Sequence, residues 1–168
     1  LRKKGIAKAS KKMSRTATEG LVLAHQENNE IAIIEINSET DFVAKNKDFI
    51  SFCKEVSEIN FKCKGDLKKL EESLMKNKSS VKNNIVDLIS KIGEKITLTR
   101  SKFLNKDDDN FFYVHGSIEK NIGKIISAVK IKNLNNKELG TKLAMHIAAS
   151  NPLSVDQKTL DKKVIDKE

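Results

Sequence analysis

Three histidines and two cysteines are the side chains best suited to chemistry in this chain, and their spacing proposes very little of it. His25, His115 and His146 lie far apart, and none has a Ser, Cys or carboxylate at an obvious relay spacing. Nucleophilic catalysis needs a nucleophile, a base and an orienting group within hydrogen-bond reach, and no pattern suggests that set. Cys53 and Cys63 are ten apart, with no CxxC and no His at ligand spacing, whereas a structural zinc site takes four ligands. Two cysteines in 168 residues do not make a disulfide framework, so two reduced thiols in a reducing compartment are expected, with Cys53 on a helix core stripe. The run "DDDN" at 107–110 lacks the Gly and the terminal Glu of a calcium loop and reads as a solvated hairpin tip. Phosphate-cradling loops of the GxxxxGKS/T and GxGxxG kinds are missing, as are GxSxG and HExxH. These residues predict a binding module with no catalytic set, no bound metal and no cofactor.

One stretch points to binding instead. In "EINSETDFVAKN", residues 35–46, a strand-like run ends at Ile36, helix-starting residues follow, and then comes Phe42. Seven residues separate Phe42 from Phe49 and seven more reach Val56, so one continuous helix would put the Phe42 ring in the core. Asn46 is a second cap for a helix starting at Lys47, and in that case Phe42 need not follow the stripe. Both readings stay open. His146 is similarly placed, beside Leu143 and Ile147 at the edge of an apolar face.

The elements that must position these residues alternate strands and helices. "GLVLAHQENNEIAIIEI" reads as a hairpin with an Asn-Asn tip between Glu27 and Glu30. Phe49, Phe52, Cys53, Val56 and Ile59 give a helix to about residue 60. "DLKKLEESLMKN" gives a short helix with Leu67, Leu70 and Leu74 on one side. Val81, Ile85, Leu88, Ile89 and Ile92 stripe a longer helix that Gly93 ends. "KITLTRSKFL" reads as a strand and Lys106–Asn110 as a polar turn. "FFYVHGSI" and "GKIISAVKI" form a second hairpin around Lys120–Gly123. A helix over "NKELGTKLAMHIAAS" presents Leu139, Leu143, Ile147 and Ser150 on one face and stops at Asn151-Pro152. Ser154 and Gln157 stand at capping-box spacing, and Leu160 and Val164 follow with nothing after them to pack against. The order predicts an α+β fold of two related lobes, each a small antiparallel sheet packed with helices. Residues 1–18 form a basic lead helix or linker, 19–104 an N-terminal lobe, and 105–168 a C-terminal lobe truncated at its end.

The net charge of +9 invites a nucleic-acid reading, but residues 1–15 hold seven Lys/Arg and no acid. Taking these from the 32 basic residues leaves 25 against 23 acidic, an excess of two on the body. A phosphate-binding surface would carry its charge on the fold itself, so no direct nucleic-acid binding is expected. No apolar run approaches the roughly 20 residues of a membrane span. The chain opens on Leu and is expected to be a processed or excised piece of a longer protein.

The motifs "INSETDFVAKNKDF", "KIGEKITLTR", "YVHGSIEKNIGKI" and "LAMHIAASNP" occur in the order and spacing of the translation elongation factor Ts family, and nearly the whole chain resembles it. "RKKGIAKASKK" is similar to the junction after that family's N-terminal helical module. The resemblance implies a guanine nucleotide exchange factor for elongation factor Tu, GDP-bound and nucleotide-free, and not an enzyme. Asp41 and Phe42 would intrude near the magnesium of bound GDP, with Thr40 and Val43 shaping the tip. Ile122, Gly123 and His146 would line the second lobe's partner surface. The family's remaining parts, and homodimerisation with them, would belong to the full-length protein; Lys95 stands where Asn is common. The implied compartment is the cytoplasm for a bacterial source, the mitochondrial matrix or plastid stroma for an organellar one. The alternative is a ribosome- or RNA-associated α+β module using the basic N-terminal segment, which would bind RNA with steep salt dependence.

Overall fold

The computed structural model of the chain describes residues 10–134, 136–156 and 158. Its first sheet begins with strands β1 (Glu19–Glu27) and β2 (Glu30–Ser38), joined through Asn28 and Asn29. Both asparagines have positive φ, 47° and 65°, the pair of left-handed residues that a tight hairpin requires. Strand β3 (Ile96–Leu104) pairs antiparallel on the other edge of β2, with a bulge opposite Glu35 and Ile36.

Helix α1 (Asp41–Ala44) is a single turn, and α2 (Lys47–Lys62) starts separately after it. The Asn46 side chain accepts from the amides of Asp48 and Phe49, so the second of the two caps is the one used. Phe49, Phe52, Cys53 and Val56 of α2 are buried against Leu21, Leu23, Ile34 and Ile36 of the sheet. Helices α3 (Leu67–Glu72) and α4 (Val81–Ile92) add Leu70, Val81, Leu88 and Ile89 to this core. Helix α3 is shorter than its leucine spacing predicts. Ser73 ends it, and Leu74 is left 66% exposed in a turn that pairs with Ser80. Helix α4 ends where expected, at Gly93 with φ 88°.

The second sheet pairs β4 (Asp109–His115) with β6 (Ile125–Ile131). The hairpin tip expected at Lys120–Gly123 is replaced by a short strand, β5 (Ile122–Gly123), which crosses to pair with Leu23 and Val22 of β1. The first sheet is therefore ordered β3-β2-β1-β5. A side chain on Gly123 would meet the Val114 side chain at 2.5 Å, so this crossing needs glycine. Asn110 is not part of a solvated tip. It is 3% exposed, and its side-chain amide donates at 2.6 Å to the carbonyls of Asn29 and Asn105, tying the two hairpins together.

Helix α5 (Lys137–Ser150) packs on β4 and β6 by a different face from the one its large residues suggest. Gly140 and Ala144 are buried, while Leu139 and Leu143 are 53% and 41% exposed. Small residues four apart let the helix lie against the Phe111 ring, where a Cβ on Gly140 would come within 2.3 Å. Ser127 donates its hydroxyl to the Ala144 carbonyl at the same close approach. Among residues with apolar spacing, the sequence signal selects the largest, whereas proximity selects the smallest. The lead residues 1–9, Gln157, Leu160 and Val164 lie outside the described residues.

The α5 contact makes a prediction. Gly140→Ala should lower unfolding free energy by about 1–3 kcal/mol, the usual cost of overpacking, although alanine is the better helix former. Urea unfolding followed by circular dichroism measures it. A variant as stable as the parent would mean that α5 does not sit this close to β4.

Candidate functional site

Two chain junctions meet where β2 leaves the sheet. The first is Ser38–Thr40, leading into α1; the second is Gly93–Lys95, leading from α4 into β3. Backbone amides at such junctions lack ladder partners and must find others. The Glu39 carboxylate accepts the Lys95 amide at 2.6 Å, and the Glu94 carboxylate accepts both the amide and the hydroxyl of Thr40, at 2.9 and 2.8 Å. Ser38, fully buried, donates its hydroxyl to the Thr40 carbonyl. The lead segment closes this arrangement from outside. Arg15 pairs with Glu39 at 3.2 Å, Lys95 donates to the Arg15 carbonyl at 2.8 Å, and Lys12 donates to the Gly93 carbonyl.

Above this base stands α1. Val43 and Ala44 are buried, 4% and 2% exposed, and hold the turn to the core. Phe42, one residue earlier, is 76% exposed. Asp41 pairs with Lys45 at 3.1 Å, and the Lys45 ammonium lies 5.9 Å from the Phe42 ring centre. The question left open by periodicity thus has an answer: the Asn46 cap breaks the helix, and the ring points away from the stripe. Folding draws little hydrophobic stabilisation from an aromatic ring this exposed.

The other site residues are distributed differently. Ile122 is 3% exposed and belongs to the core packed on the first sheet, and Gly123 is buried beside it, so neither forms a turn open to solvent. His146 is exposed on α5, on the same outward face as Leu139 and Leu143. His25 lies 2.8 Å from Glu27 and 4.9 Å from the Phe61 ring centre, with no nucleophile joining the pair. Burial pushes the Cys53 thiol well up, which keeps it protonated and inert. No group of three or more potential metal ligands occurs among the described residues, and no helix there is long and apolar enough to cross a membrane. An open groove of about 580 Å³ beside β3 and β6 is lined by Ile33, Glu35, Arg100, Lys124 and Ile126, with Glu35 and Arg100 paired to each other. Sequence reasoning missed Glu94. It sits 54 residues from Thr40, and its only local signal is an acid directly after a helix-ending glycine.

Fold and tip together give an α+β scaffold that holds an apolar ring clear of its own core. The family model for elongation factor Ts matches residues 39–168. Elongation factor Ts of Methylobacterium sp. (strain 4-46) is 38% identical over the whole of this chain, which covers 57% of that protein. That of Methylorubrum populi is 39% identical with the same coverage, and that of Malacoplasma penetrans 38% identical with 56% covered. The chain belongs to the elongation factor Ts family. It spans a little over half the length of these relatives.

The Glu39 contacts carry a pH dependence. The Lys95 amide, with help from Arg15 and Lys12, holds the Glu39 carboxyl below its ordinary value of 4.5, against the opposing effect of burial. A depressed carboxyl stabilises the fold above its unfolded value, and that contribution is lost as pH falls through the folded value. Glu39→Gln should therefore destabilise the chain at neutral pH and lose less further stability on acidification. Urea unfolding at about pH 7 and about pH 3 brackets the carboxyl range. An equal stability difference at both pH values would show that the Glu39 charge contributes nothing.

Proposed function

We propose that this chain is the core of a guanine nucleotide exchange factor that binds elongation factor Tu and promotes GDP release by disturbing its magnesium and phosphate site. The observation that carries the reading is Phe42, 76% exposed on a turn whose neighbours Val43 and Ala44 are anchored in the core. Membership of the elongation factor Ts family supports elongation factor Tu as the partner. In this reading Asp41 and Phe42 enter the partner's nucleotide domain. Thr40 and Val43 shape the tip, Val43 from beneath because it is buried. His146 meets the partner from the second lobe. Ile122 and Gly123 act indirectly, by fixing the loop that crosses to β1.

The mechanism is linkage and requires no bond chemistry in this chain. A factor that binds nucleotide-free partner more tightly than nucleotide-bound partner weakens nucleotide binding by the same factor. Magnesium at the partner's bound nucleotide would offset the repulsion between its phosphate charges. By disturbing that ion's surroundings, Asp41 and Phe42 would remove the offset and weaken GDP binding. Burying one Phe contributes about 1.5–3 kcal/mol, which caps the ring's share at about two decades of rate. Faster exchange needs other contacts, and the exposed face of α5 around His146 is the proposed source. For a bacterial source the proposed compartment is the cytoplasm.

The RNA-binding alternative draws on the same basic segment, but Lys12 and Arg15 are engaged with Gly93 and Glu39 of the fold. Release of fluorescent GDP from elongation factor Tu, followed by stopped flow, tests the exchange reading. The chain should accelerate release, and Phe42→Ala should remove between about tenfold and a hundredfold of that effect while still binding. Unchanged exchange in the variant would rule out the tip as a wedge.

A further inference from the structure

Thr40 opens the helix that carries Phe42, yet its side chain makes no capping hydrogen bond to that helix. A threonine at this position ordinarily accepts from an amide of the first turn. This one donates instead. Its hydroxyl and its own amide go to separate oxygens of Glu94, a residue on the far junction of the site. A carboxylate holding two donors of one residue fixes both its place and its rotation. Val43 and Ala44 anchor α1 on the core side only, and a four-residue helix has almost no stability of its own. The direction in which Asp41 and Phe42 leave the surface therefore depends on how Thr40 is held.

We infer that Glu94 is a positioning residue for the exchange tip, orienting Asp41 and Phe42 through its two-point grip on Thr40 without itself reaching partner or nucleotide. This deepens the exchange reading and rests on it. Lys95 returns the contact to Glu39, so the two junctions exchange carboxylates and the grip is braced from both sides.

The test compares the chain with Glu94→Ala, Glu94→Gln and Phe42→Ala, measuring fluorescent-GDP release from elongation factor Tu across a range of chain concentrations. Glu94→Ala should lower the saturating release rate about tenfold, the scale of lost hydrogen bonds to a charged group, with little change in the half-saturating concentration. Glu94→Gln keeps one acceptor oxygen and should restore most of the rate. A variant that is merely partly unfolded shows the opposite split, keeping the saturating rate and raising the half-saturating concentration; that result overturns the proposal. Amide hydrogen exchange at Thr40 in the chain alone, read by nuclear magnetic resonance, provides a second arm. It should accelerate at least about tenfold in Glu94→Ala, and unchanged protection overturns the grip whatever the release assay gives. If Phe42→Ala slows release and Glu94→Ala does not, the positioning role falls and the exchange reading stands. If the parent chain leaves release unchanged, the exchange reading falls and the positioning role falls with it.

Discussion

Strand β2 is paired along both edges, and this constraint governs most of what surrounds it. A strand held on two sides cannot slip by one residue without turning Ile34 and Ile36 out of the core and breaking two ladders. Helices α2 and α4 pack onto the face that β2 helps to form, and β1 and β3 take their register from it. Its last residue, Ser38, is fully buried, and Phe42 lies four residues beyond. The exposed ring thus departs from one of the best-fixed points of the first lobe. Under the exchange reading proposed above, the ring would gain most from a support that loses little freedom on binding.

Much of this architecture was legible in the residues. The Asn28-Asn29 hairpin, the stripe from Phe49 to Ile59 and the stop at Gly93 follow local rules, because turn chemistry and helical periodicity act over a few residues. Three features were not legible, each for its own reason. Helix α5 buries Gly140 and Ala144 because closeness to Phe111 matters more there than side-chain size, a preference that hydrophobicity does not express. Strand β5 is two residues long, too short for any alternation to register. The Thr40–Glu94 contact joins residues 54 apart, and nothing local to either predicts the other.

The tip lay between these extremes. Its residue types were visible, but the exposure of Phe42 turned on whether one helix or two spans residues 41–62. A seven-residue spacing is compatible with both. The side-chain oxygen of Asn46 decides the matter by accepting two amides at the start of α2. Exposed and buried apolar residues share a composition in this stretch, and the cap separates them. Family resemblance pointed to the same residues by a different route, through motif order.

The crossing of β5 into the first sheet has a mechanical consequence. Ile122 sits in the core beneath α2, and the Lys54–Glu119 ion pair at 2.5 Å adds a second tie between that helix and the same loop. Asn29 and Asn110 bind the opposite ends of the hairpins together. The two sheets are thus joined twice over, by the covalent step from Gly123 to Ile125 and by the Asn29–Asn110 contacts, so parting one from the other would break ties at both ends.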